Sequence, residues 1–100
     1  CALPIYIGVQ IVPLTEEYAR QLGLPKNEGA LIGGIAQNGP AEKGGMTVGD
    51  VIVKTDSTDI KDYRDLVQLV ERTEIGKTLR MEVWRNRAKV SLFITVSERP

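Results

Sequence analysis

The sequence predicts an α+β fold that is mainly β, and three observations predict it. Short apolar runs broken or bordered by glycine recur at residues 6–12, 30–36 and 51–54. A single longer stretch, residues 62–72, has helical periodicity, and the chain closes on two runs that alternate apolar and polar residues about a polar turn.

The first apolar run is Tyr6-Ile7-Gly8-Val9-Gln10-Ile11-Val12. A loop that presents several backbone N–H groups to one anion needs a residue without Cβ at its bend, and Gly8 supplies it. Ile7 and Val9 then flank the bend and wall an apolar pocket. A plain buried strand with a glycine bulge fits the same seven residues. Pro13 stops strand pairing. Thr15 is placed to N-cap a short helix, with Glu16 and Glu17 in the first turn, where the helix dipole favours negative charge. That helix runs through Leu22; Gly23 suits a left-handed C′ position and Pro25 cannot continue it.

Residues 26–29 read as a loop, and residues 30–36 as a buried strand weakened by Gly33 and Gly34. Asn38-Gly39-Pro40 opens one or two helical turns that Gly44-Gly45 end. Gly49-Asp50 leads into a strand over residues 51–54, followed by the polar turn Asp56-Ser57-Thr58-Asp59. In the long stretch, Tyr63, Leu66, Val67 and Val70 fall at i, i+3, i+4 and i+7, with Leu69 widening the stripe, so it forms an amphipathic helix. Such a stripe is ordinarily all core.

The last two runs form a hairpin. A turn at residues 85–88 pairs Val83 with Val90 and Met81 with Leu92, so both apolar sets share one face. The same register sets Arg80 opposite Phe93 and Trp84 opposite Lys89, which predicts cation–π contacts of about 0.5–1 kcal/mol each if exposed.

Composition narrows the chemistry. The 100 residues make one domain of ordinary size. Formal net charge is zero with both signs interspersed, which leaves no electrostatic footprint for nucleic acid or an anionic membrane. There is no histidine, so neither a Ser-His-Asp triad nor a His-based metal site can be built from these residues, and no cofactor is expected. The one cysteine, Cys1, cannot form an internal disulfide. Residues 1–5, Cys1-Ala2-Leu3-Pro4-Ile5, read like an in-frame translation of a common sequencing-adapter oligonucleotide; they are expected to be non-native or a linker, with the domain over residues 6–100.

Taken in order, Tyr6-Ile7-Gly8-Val9, Gly39-Pro40-Ala41-Glu42-Lys43-Gly44-Gly45-Met46, Gly49-Asp50-Val51-Ile52-Val53, the Tyr63-to-Val70 helix and a closing hairpin resemble a PDZ domain. More narrowly, they resemble the PDZ domains of HtrA/Deg-type serine proteases. The resemblance implies a partly open β-barrel of five or six strands capped by two helices. It implies that a ligand's C-terminus is gripped by loop amides while its last residues add a strand beside the loop's strand, opposite the longer helix. Carried over, Tyr6 opens the loop, Ile7, Gly8 and Val9 supply amides, and Ile11 lines the strand side. Tyr63, Val70 and either Leu66 or Val67 line the helix side, two registers one residue apart being open.

The implied partners are C-terminal segments of unfolded or substrate proteins and a protease domain in cis, with no nucleic acid; a homo-oligomer through the parent protein is open, and an extracytoplasmic location is implied. The chain itself is then no enzyme. A PDZ domain of another protease type, or an oligomerisation or scaffold module whose groove is filled by its neighbours, remains an alternative. Two departures stand out. Asp56-Ser57-Thr58-Asp59 replaces the family's usual Asn-Gly or Asp-Gly turn, so that connection is expected to be longer or differently shaped. Tyr63 is bulkier and less polar than the residue many PDZ domains place there, which implies apolar ligand side chains at that position.

Overall fold

The computed structural model describes residues 5–98; the segment 1–4 of the expected foreign or linker stretch lies outside the described residues. Among these described residues eight strands and three helices follow one another as β1 (Ile5–Tyr6), β2 (Val9–Val12), α1 (Glu16–Gln21), β3 (Ala30–Ile35), α2 (Pro40–Lys43), β4 (Val51–Thr55), β5 (Thr58–Asp59), α3 (Tyr63–Glu71), β6 (Thr78–Arg85), β7 (Ala88–Thr95) and β8 (Ser97–Glu98). The main sheet has six strands in the order β2-β3-β4-β6-β7, with β5 attached to β4, and every pairing is antiparallel. The sheet is not closed. β1 pairs with β8 as a separate ribbon, so the ladder begins at Ile5, one residue inside the segment set apart by its composition.

Local chemistry explains the element boundaries. Thr15 Oγ1 accepts the Tyr18 N–H at the start of α1. That helix ends with Gly23 at φ +75° and a bond from the Leu24 N–H to the Ala19 carbonyl, the double-bonded left-handed stop that glycine permits. α3 begins with a reciprocal cap: the Asp62 side chain accepts from the Arg64 N–H, and Asp65 reaches back to the Asp62 N–H. The β6–β7 hairpin has the predicted register, Val83 opposite Val90 and Met81 opposite Leu92. Its two-residue turn sets Asn86 at φ +52° and Arg87 at +64°, the left-handed pair that matches the strands' twist.

One expectation is narrowed and another is corrected. The β4–β5 connection is not longer, because Thr55 pairs with Thr58 and leaves only Asp56 and Ser57 in the turn, but it is differently shaped, with Asp56 and not Ser57 in the left-handed region. Asp56 itself takes φ +52°, in place of a glycine, and is held by Arg80, whose carbonyl accepts the Asp56 N–H at 2.7 Å while its N–H donates to Asp56 Oδ1 at 3.0 Å. The outer-face cation–π pairs do not form, although the register that suggested them is present. The Arg80 guanidinium donates to Ser91 Oγ, and the Trp84 indole N–H donates to the Leu22 carbonyl at 2.7 Å, tying the end of α1 to the sheet.

The core lies between the sheet and α3. Ile32, Ile52, Leu66, Met81, Val83 and Ile94 are among its fully buried members, and their positions follow the period of two along the strands and the inner side of the α3 stripe. Buried polar groups are few. Asp50 is paired with Arg85, whereas the Thr55 hydroxyl is buried with no hydrogen-bond partner. No helix among the described residues is long and apolar enough to cross a membrane.

Candidate peptide-binding groove

Gly8 occupies the bend between β1 and β2 at φ +79°, a conformation that costs an L-residue about 1–2 kcal/mol. Two hydrogen bonds fix the peptide planes on either side of it. The Ile7 carbonyl accepts the Ala41 N–H at 2.8 Å, and the Gly8 carbonyl accepts the Ala36 N–H at 2.9 Å. In a trans peptide the C=O and N–H of one plane point in opposite directions. The Gly8 N–H is therefore aimed away from α2, and the Val9 N–H away from β3. Covalent geometry thus turns two of the three amides expected to face a ligand away from α2 and β3, although Gly8 itself is buried. The donors that turn them, Ala36 and Ala41, were not singled out by the sequence. Their signal was Gly39-Pro40, which fixes the start of α2 and leaves the Ala41 N–H as one of the helix's unpaired first-turn donors.

From this bend the chain enters β2, which ends the main sheet's strand order and, among the described residues, pairs on one side only, with β3. A shift in register between Gln10 and Ile11 bends the strand. Val9 and Ile11 are half-buried against the core, whereas Gln10 and Val12 are exposed. Ile7 is buried in the core beneath the bend. Of Tyr6 the structure describes the backbone, paired with Ser97 in the β1–β8 ribbon.

Helix α3 packs against β1 and β3. Tyr63 and Val67, one turn apart, are 53% and 40% exposed. Val70 is buried at 9%, and Leu66 at 1% belongs to the core. Of the two registers left open by the sequence, the structure leaves Val67 accessible and Leu66 not. The Arg64 guanidinium lies 5.9 Å from the Tyr63 ring centroid and pairs with Asp62 at 3.2 Å. Those contacts hold the Asp62 carboxyl below its ordinary range, mainly through the Arg64 backbone N–H and then its side chain. Among the described residues no cluster of His, Cys, Asp and Glu is placed to hold a metal ion.

Comparisons with known proteins agree with this fold. The family model described as "PDZ domain" matches residues 5–96. A "probable periplasmic serine endoprotease DegP-like" of Brucella suis biovar 1 (strain 1330) is 35% identical over 95 residues, which is 95% of this chain and 18% of the relative. One of the same description from Pseudomonas putida (strain F1) is 37% identical over 95 residues, 95% of this chain and 20% of the relative. The chain thus spans about a fifth of the length of the curated relatives it matches. Among solved structures, the HtrA-type protease AlgW with a decapeptide superposes with a TM-score of 0.84 at 37% identity, over 97% of this chain and 30% of that one. The HtrA3 PDZ domain bound to a phage-derived ligand superposes with a TM-score of 0.80 at 23% identity, over 95% of this chain and 86% of that one, a likeness of fold. With a family match across nearly its whole length and the glycine bend, edge strand and flanking helix in place, the chain belongs to the PDZ domain family.

Proposed function

We propose that this PDZ domain captures the free C-terminal end of a partner polypeptide by strand addition on β2, and that it serves as the regulatory or substrate-tethering domain of an HtrA-like serine endopeptidase. The observation that carries the reading is the pair of amides at Gly8 and Val9 turned away from α2 and β3, next to a strand that among the described residues ends the main sheet. Oriented N–H groups suit a carboxylate, and the outer edge of β2 suits an extended chain that continues the sheet. Val9, Ile11, Tyr63 and Val67 supply apolar walls for alternate side chains of that chain, with Val70 beneath them.

The similarity to AlgW with a decapeptide, and to the same protease with a tripeptide, supports peptide as the ligand class. Descriptions of the relatives as periplasmic endoproteases support an extracytoplasmic location and a catalytic domain elsewhere in the parent protein. Burying one terminal Val- or Leu-sized side chain contributes about 1.5–3 kcal/mol. With strand hydrogen bonds added and ordering costs subtracted, binding is expected near micromolar, on the order of −8 kcal/mol. The test is fluorescence anisotropy with a labelled decapeptide ending in free valine and with its C-terminal amide. Binding of the acid at least about tenfold tighter than the amide supports capture of a chain end. Equal binding removes the carboxylate from the account.

A further inference from the structure

The Gly-Asp segment at residues 49–50 has no part in the groove, yet Asp50 is the most heavily bonded side chain among the described residues. Its carboxylate, 2% exposed, accepts from the Thr47 N–H at 3.0 Å, from Thr47 Oγ1 at 3.2 Å, from Arg85 Nε at 2.9 Å and from Arg85 Nη2 at 2.7 Å. The same Nη2 donates to the Gly45 carbonyl at 2.9 Å. Gly45 lies just beyond the end of α2, the single helical turn that at its other end gives the Ala41 N–H to the Ile7 carbonyl. The seam between α2 and β7 is tight, since a Cβ on Gly44 would stand 2.6 Å from the Phe93 carbonyl oxygen.

We infer that Asp50 and Arg85 are positioning residues for the candidate carboxylate loop: the ion pair fixes α2, and α2 through Ala41 fixes the direction of the Gly8 amide. The inference rests on the reading of that loop as the anion site. Four residues of helix are only about 6 Å long, so a tilt set at the Gly45 end is delivered to Ala41 with little loss. A rotated Ile7 carbonyl carries the Gly8 N–H with it, because both belong to one plane. The guanidinium is suited to the task, since its planar fork bonds both Asp50 oxygens and still reaches a third acceptor, whereas a lysine ammonium is a point charge without that fork.

The test measures the ratio of amide to acid dissociation constants for the valine-ending decapeptide in the unaltered chain and in Arg85→Met, Arg85→Lys and Trp84→Phe. The two Arg85 variants are expected to lower the ratio at least about threefold by weakening the acid while leaving the amide unchanged. Trp84→Phe, which loses a hydrogen bond on the far side of the sheet, is expected to lower thermal stability and leave the ratio alone. Arg85→Lys retains a positive charge for Asp50, so it serves as the folded variant should Arg85→Met unfold. An unchanged ratio in a folded Arg85 variant overturns the positioning role and leaves peptide capture standing. A ratio near one in the unaltered chain overturns carboxylate capture, and the positioning role falls with it.

Discussion

Gly8 shows how one residue sets both a fold and a candidate chemistry. At φ +79° it turns the chain so that its carbonyl and that of Ile7 are tied to β3's end and to α2, which leaves the opposing N–H groups aimed away from both. Gly8→Ala is expected to lower folding stability by about 1–2 kcal/mol, the cost of a Cβ in the left-handed region. It is expected to reduce affinity for a free C-terminus at least about tenfold, because the loop relaxes toward negative φ and the amides diverge. Urea unfolding and peptide titration on the same variant compare the two; lost stability with unchanged affinity would assign Gly8 a purely structural part. Thr55 gives the opposite case. Its hydroxyl is buried without a partner, so Thr55→Val removes an unsatisfied polar group at nearly constant shape. The urea midpoint is expected to rise by the equivalent of about 1 kcal/mol. A fall would mean that the hydroxyl has a favourable role the bonding pattern does not reveal.

Among the elements, α3 divides its apolar stripe between two tasks. Leu66 fills the core, and Leu66→Ala is expected to cost about 2–5 kcal/mol of stability. Val67, 40% exposed, is expected to tolerate Glu without loss of fold while peptide binding falls below detection, since a carboxylate in the groove wall would face the ligand's own. Circular dichroism and anisotropy on the two variants separate these tasks. At the start of the helix, the Asp62 carboxyl has its pKa lowered by the Arg64 backbone N–H and side chain. The cap's contribution is thus complete above the ordinary aspartate range and is lost as pH falls through the lowered value. The stability difference between the unaltered chain and Asp62→Ala should be full at neutral pH and shrink below about pH 4.

The stripe was legible in the sequence because its period is helical, but its division was not. Leu66 and Val67 both sit on the apolar side, and which one faces the core depends on the helix's rotation against β1 and β3. In the same way, register put Arg80 opposite Phe93 correctly but could not foresee that Ser91 competes for the guanidinium. The Thr15 cap and the β6–β7 turn were readable from local chemistry, whereas the length of the Asp56-Ser57 turn was not, nor were contacts that join distant segments, such as Arg85 with Asp50 or Ala41 with Ile7.

Across the whole molecule, the sheet is asymmetric in a way that organises function. Antiparallel pairing ties the Val51-to-Thr55 strand, the long hairpin and β3 into one packed body, and β2 is left at its margin with the glycine bend at its head. The carbonyls of that bend are held by α2 and by the end of β3, so the body presents a fixed pair of amides at an otherwise incomplete sheet. The most direct measurement is a two-dimensional amide NMR titration of the 15N-labelled chain with the valine-ending decapeptide. The account predicts the largest downfield shifts at the Gly8 and Val9 amides, smaller changes along β2 and at Tyr63 and Val67, and loss of the Gly8 and Val9 shifts with the amidated peptide. Binding that leaves the Gly8 and Val9 amides unmoved, or moves them equally with acid and amide, would contradict it.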